Sequence, residues 1–328
     1  MSIQVLFIGL EETGASIGMA FGESGVKAER LGFDPDPKVA KEAMKRGAVD
    51  RLVSRPASVA HEIDLAITSL VNREAEEYIG SIAPRMKEGS LIFDASPNKA
   101  TAEDWARRAV PPRVHYLGIA PMVGPGILER EPKKRDVPST DRYREGLLAI
   151  VARPDTHEKA IDTAVGMAEV IGASPLFIEA AEHDAIRSAA EALPTIVAIA
   201  LQRMLNNAPS WREMGRMAGG DYADVTAVCE RISPRNLGNM LAENREHILP
   251  RLNALMGEIQ EIRKLIADEE AEQIEAFLEG AVAERKGWIG ARQKGSWGRS
   301  QIGIERPPKR GLLGSLFGLG SRGGQPSD

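Results

Sequence analysis

An α/β chain with a mostly parallel sheet, followed by an all-helical segment, is what this sequence predicts, and three observations predict it. The chain opens on an apolar run of strand length, Ile3–Ile8, then a glycine-bounded turn, Gly9-Leu10-Glu11-Glu12-Thr13-Gly14, and a helix-like stretch through Phe21. Strand-like and helix-like segments then alternate as far as Glu179, which gives a parallel sheet with helices on both faces. Beyond Glu179 only helical spacing of apolar residues remains.

The first three elements form a strand–turn–helix–strand unit. Its second strand, residues 30–33, ends in Asp34, about 20 positions after the turn. That is the context of a Rossmann-type dinucleotide fingerprint, in which the acid meets a ribose hydroxyl. The middle glycine of such a turn lets the backbone approach the pyrophosphate, and here that position is Glu11. Later strands are expected at 65–69, 90–94, 115–119, 147–151 and 175–179, with helices at 37–46, 72–86, 101–109 and 156–171. Segment 124–143 is rich in Pro, Lys, Arg and Asp and reads as a loop outside the core.

Helices are expected over 180–207, 221–231, 234–265 and 269–285. Pro194 should kink the first, since it cannot donate to the carbonyl one turn back. Leu249, Leu252, Leu255, Met256, Ile259, Ile262 and Ile266 share one apolar face, which suits packing against a second subunit. The expected domains are 1–178, 179–289 and a tail, 290–328. That tail is low in complexity and expected to be mostly disordered. Within it Lys309-Arg310 precedes Leu312, Leu313, Leu316, Phe317 and Leu319, a basic and apolar segment (309–319) suited to a protein partner or a membrane surface.

The 328 residues carry a net charge of −5. From Arg285 onward there are nine Lys/Arg against two acids, so the remainder carries −12. An acidic body argues against nucleic-acid binding. A lone cysteine, Cys229, permits no intrachain disulfide and reads as a packing residue. No apolar run reaches spanning length and no signal peptide precedes the first strand, so a cytoplasmic protein is expected. No His/carboxylate or Cys spacing suggests a metal.

Four stretches together resemble one family, the prephenate and arogenate dehydrogenases of tyrosine biosynthesis. They are the glycine turn with Ala15-Ser16-Ile17, then Phe93-Asp94-Ala95-Ser96-Pro97-Asn98-Lys99, then Gly118-Ile119-Ala120-Pro121-Met122-Val123-Gly124-Pro125, and a helical set. The helical set comprises His183-Asp184, Glu191-Ala192-Leu193-Pro194-Thr195, Gly219-Gly220-Asp221 through Ala227, and Asn244-Arg245. The resemblance spans about residues 3–289. It implies an NAD-dependent oxidoreductase acting on a small-molecule substrate, and a homodimer built through the helical domain. It also implies a cofactor held by Gly9, Leu10, Glu11, Gly14, Asp34 and Ser69, and a substrate met by Asn98, Met122, Glu191 and Thr195. Asp34 would favour NAD over NADP, because a 2′-phosphate would meet its charge.

The sequence departs from the family where the chemistry is most demanding. The family's histidine before Pro-Met is Ala120, which holds no proton acceptor. Both histidines of the family's Ser-His-Leu-Pro-His are absent, replaced by Ala192 and Thr195. The arginine expected after Thr226 is Ala227, and the family serine aligns with Pro97. Lys99 and Ser96 are the candidate catalytic replacements. Two readings follow: an oxidoreductase inefficient on prephenate and arogenate or redirected to another small substrate, or a non-catalytic dimeric scaffold that uses its tail. His183 reads chiefly as a helix-start histidine bonded to backbone or solvent.

Overall fold

The structure, a computed structural model, describes residues 2–268 and 271–295. The expected tail lies outside the described residues from 296 onward; residues 290–294 instead continue a helix. Contacts divide the chain after His183.

The first unit is built on an eight-stranded sheet: β1 (Ile3–Ile8), β2 (Ala28–Phe33), β3 (Arg51–Leu52), β4 (Leu65–Thr68), β5 (Leu91–Asp94), β6 (His115–Met122), β7 (Leu147–Val151) and β8 (Ser174–Phe177). Their order is β3-β2-β1-β4-β5-β6-β7-β8, and every pair is parallel except β6–β7. Helices α1 (Glu12–Glu23), α2 (Pro37–Lys45), α3 (Pro56–Val59), α4 (Asn72–Ile82), α5 (Lys99–Ala109), α6 (Pro125–Leu128), α7 (Pro132–Arg135) and α8 (Glu158–Val170) connect the strands. The predicted mostly parallel sheet is present. β3 and α3 are too short to have carried a periodic signal.

β1 and β4 sit at the centre and are apolar on both faces, as a sheet covered on both sides requires. One face packs Phe7, Ile17, Phe21 and Met167; the other packs Leu6, Ile63, Ile79 and Trp105. Local chemistry sets the helix ends. Asp36 accepts the Lys38 amide at 2.8 Å with Pro37 opening α2, and His157 Nδ1 accepts the Lys159 amide at 3.1 Å ahead of α8.

One expectation fails inside this unit. Segment 124–143 is not outside the core: it forms α6 and α7, and Ile127, Arg142 and Tyr143 are buried. Its charges misled the reading because they are consumed locally. Arg130 grips Asp141 at 2.7 Å, and Arg135 donates to the carbonyls of Leu128 and Arg130.

The second unit is helical: α9 (Ala180–Arg187), which crosses the division, then α10 (Leu193–Asn206), α11 (Trp211–Met217), α12 (Gly220–Thr226), α13 (Pro234–Glu243), α14 (Arg245–Ala267) and α15 (Ala271–Lys294). The predicted kink at Pro194 takes the form of a π-helical turn, Ser188–Ala192, joining α9 to α10. Widening the helix absorbs the amide that proline lacks. The single helix expected over 234–265 is two, because the chain breaks at Asn244. Its apolar face is left bare, with Leu249, Met256, Ile259, Ile262 and Ile266 exposed.

Trp105 tests the packing of the sheet's second face. It is 1% exposed and meets Tyr116 edge-on at 5.6 Å, while its Nε1 donor has no acceptor. Trp105→Ala should cost about 3–5 kcal/mol in chemical denaturation. Trp105→Phe should cost distinctly less, because it also removes an unsatisfied buried donor. Equal losses for the two variants would contradict this account.

Candidate active site

The sheet order reverses between β1 and β4, so a crevice opens at the carboxyl ends of these strands, where open α/β sheets bind ligands. Gly9 leaves β1 with φ +89°, a conformation that favours glycine. A Cβ on Gly14 would sit 2.0 Å from the Gly9 carbonyl oxygen, so glycine alone lets α1 start this close to the strand. Ser69, after β4, donates its Oγ to the same carbonyl at 3.0 Å. Asp34 accepts the amide of Leu10 at 2.7 Å through one oxygen and that of Asp36 at 2.8 Å through the other. A carboxylate has about four acceptor positions, so capacity for ribose hydroxyls remains. Five of the six predicted cofactor residues therefore form one hydrogen-bonded or close-packed turn.

Glu11, the sixth, occupies the N-cap of α1 with an exposed side chain that caps none of its amides. The helix start keeps its partial positive charge available to an anion. Partial burial, then the carboxylates of Asp34, Glu74 and Asp36, push the Glu11 carboxyl above its ordinary range. Burial pushes Asp34 up as well, against the two amides that lower it. The neighbouring acid, Glu12, is neutralised by an ion pair with buried Arg142. The same segment donates the Ser139 amide to Ser16 Oγ at 3.2 Å, and Tyr143 bonds Thr13. Sequence reading missed Arg142 because it lies 130 positions from its partner, in a segment whose charges looked solvated.

At the end of β5, Asp94, Ser96, Asn98 and Lys99 are all buried. Asp94 accepts Ser96 Oγ at 2.5 Å, the Ser96 amide at 2.9 Å and Tyr116 Oη at 2.8 Å. Burial and the adjacent Asp94 charge raise the Tyr116 hydroxyl well above its usual range, so it stays a donor. Lys99 Nζ donates to the carbonyls of Asp94 and Ser96, each at 2.7 Å. Gly118 on β6 faces the Lys99 stem; a Cβ there would lie 3.3 Å from its Cδ. Ala120 lies further along β6, opposite Ala149, and Met122 ends that strand. Among the predicted residues the structure thus brings Ser96, Asn98 and Lys99 together where the chain passes from β5 into α5.

In the second unit, Glu191 lies in the π turn and Thr195 in α10, whose Oγ1 donates to the Glu191 carbonyl at 3.0 Å. Ala227 opens a short 3-10 turn after α12. His183 is 2% exposed, which excludes the solvent-bonded form of the expectation. The described residues contain no cluster of His, Cys, Asp or Glu able to hold a metal. No described helix is long and apolar enough to cross a membrane.

Lys99 ties the turn after β5 together, so Lys99→Met would leave two buried carbonyls short of a donor. A loss of about 1–3 kcal/mol in urea unfolding is expected. An unchanged midpoint would mean that this amine carries no structural role.

Comparison with known proteins agrees with this architecture. Residues 17–133 match the family model "Prephenate dehydrogenase, nucleotide-binding domain", a span that begins just after the glycine turn, and residues 179–280 match "Prephenate dehydrogenase, dimerization domain". The chain is 24% identical over 303 residues to prephenate dehydrogenase of Bacillus subtilis, covering 90% of this chain and 78% of that protein. Its fold is that of Aquifex aeolicus prephenate dehydrogenase, solved with hydroxyphenyl propionate and NAD+: TM-score 0.75, 19% identity, covering 88% of this chain and 98% of the other. Synechocystis arogenate dehydrogenase is similar at TM-score 0.67 and 14% identity, covering 87% of this chain and 100% of the other. With both domains present in family order, the chain belongs to the prephenate dehydrogenase family of oxidoreductases.

Proposed function

We propose that this protein is an NAD-binding oxidoreductase that handles a small carboxylic acid and oxidises prephenate or arogenate poorly or not at all. The observation that carries the first half is the start of α1. Gly9 and Gly14 keep the close turn, and Glu11 leaves the helix amides uncapped. The pyrophosphate would meet those amides, and Asp34 would take ribose hydroxyls. When bound, NAD supplies the hydride acceptor.

The second half rests on Ala120 and Ala227. Oxidation of a ring alcohol needs an acceptor for the hydroxyl proton, and alanine at 120 offers none. Loss of a positioned base typically costs about 100- to 10,000-fold in rate. Lys99, Ser96, Asn98 and Met122 are the candidates left on the first unit, and Glu191 and Thr195 those on the second. Lys99 Nζ gives two of its three donors to the carbonyls of Asp94 and Ser96. The bare stripe on α14, together with the dimerization domain, supports a homodimer. A scaffold with no catalytic role is the second reading, and the loss at Ala120 and Ala227 favours it.

Titration with NAD beside Glu11→Gly separates the two readings. The dehydrogenase reading expects micromolar NAD binding by the unmodified protein, tightened by the substitution. It also expects retained binding of hydroxyphenyl propionate, the acid held by the Aquifex relative. Absence of NAD binding, restored by Glu11→Gly, would favour the scaffold. Prephenate turnover at an ordinary enzyme rate would refute the claim of poor oxidation.

Affinity for NAD should also depend on pH. A raised carboxyl pKa means that Glu11 gains its proton early as pH falls, and a neutral Glu11 no longer repels a pyrophosphate. NAD affinity should therefore rise as pH falls through the range in which Glu11 takes up its proton, and Glu11→Gln should flatten the slope. An equal slope in both proteins would remove Glu11 as the cause.

A further inference from the structure

The turn between α9 and α10 holds an arginine that the family motifs do not account for. Arg187 closes α9 and is followed at once by the π-helical turn Ser188–Ala192. Such turns widen a helix at a cost, and they concentrate at functional sites. Arg187 Nε donates to Glu191 Oε2 at 2.7 Å, four residues on, and its side chain is 29% exposed. Its Nη1 is buried and has no acceptor. The next residue, Ser188, is 2% exposed, and its Oγ also has no acceptor. Two adjacent orphaned donors, one of them on a cation, are costly unless an acceptor arrives.

We propose that Arg187 is the cation that receives a substrate carboxylate in this chain, the role that Ala227 cannot fill. The proposal rests on the oxidoreductase reading above and deepens it by naming the residue that meets the acid. Glu191 occupies Nε, which leaves the two Nη groups as the donors for a planar, two-oxygen acceptor. A carboxylate entering there would supply the missing acceptor for Nη1, after a small movement of the guanidinium. Ser188 lies beside it as a further donor. Glu191 holds the arginine in place when no ligand is present, and it competes with the ligand for that charge.

The test uses the full-length protein saturated with NAD and two probes, hydroxyphenyl propionate and its uncharged amide. The unmodified protein should bind the acid at least about tenfold more tightly than the amide. Arg187→Gln should weaken the acid by roughly 10- to 100-fold, erase the preference for acid over amide, and leave NAD affinity unchanged. Arg187→Lys should recover part of the preference. Glu191→Gln removes the competing carboxylate and should tighten acid binding several-fold, a gain that a purely structural ion pair would not give. The proposal is overturned if Arg187→Gln keeps the preference, if the unmodified protein shows none, or if Glu191→Gln weakens the acid. Failure of the unmodified protein to bind NAD would overturn the oxidoreductase reading first, and this assignment with it.

Discussion

The close approach of α1 to the end of β1 is the constraint on which the site depends. Gly14 has no room for a side chain beside the Gly9 carbonyl, and Gly9 must leave the strand at positive φ. Once that contact is made, the neighbouring groups have little freedom. Ser69 from β4 bonds the same carbonyl, and Asp34 from β2 ties down the Leu10 amide. Three strands thereby converge on one turn, and the first amides of α1 face the crevice at the strand reversal. A helix start held this rigidly is an anion site prepared in advance.

Electrostatics at that point are divided between two adjacent acids with opposite fates. Glu12 is paired with buried Arg142, which comes from the segment returning between β6 and β7. That segment also reaches α1 through Ser139 and Tyr143. Its arginines Arg130, Arg135 and Arg142 are thus spent on internal partners rather than on solvent. Glu11 has no such cation, and it feels Asp34, Glu74 and Asp36 instead. The altered turn therefore keeps its shape while its field becomes more acidic. Shape and charge are separable here because the close approach is a matter of glycine backbone, whereas the field comes from one side chain.

Polar groups after β5 satisfy one another. Asp94 gathers Ser96 and Tyr116, and Lys99 braces the backbone around them. This knot is largely buried and needs no ligand to be satisfied.

By itself the sequence determined the alternation of strands and helices, the glycine turn and the acid that ends β2. These signals are local: apolar period, glycine spacing and strand length reflect a few neighbouring residues. It also placed alanines at 120 and 227, since the identity of a side chain needs no coordinates. Only tertiary structure decided the partner of Arg142, the burial of segment 124–143, the break at Asn244 and the π turn ahead of Pro194. Each depends on residues far apart in the chain, or on whether a proline is absorbed by kinking or by widening the helix. Arg187 was silent for the same reason. A helical arginine four residues before a glutamate reads as a solvated pair, and only packing shows that its own Nη1 and the adjacent Ser188 Oγ are buried without an acceptor.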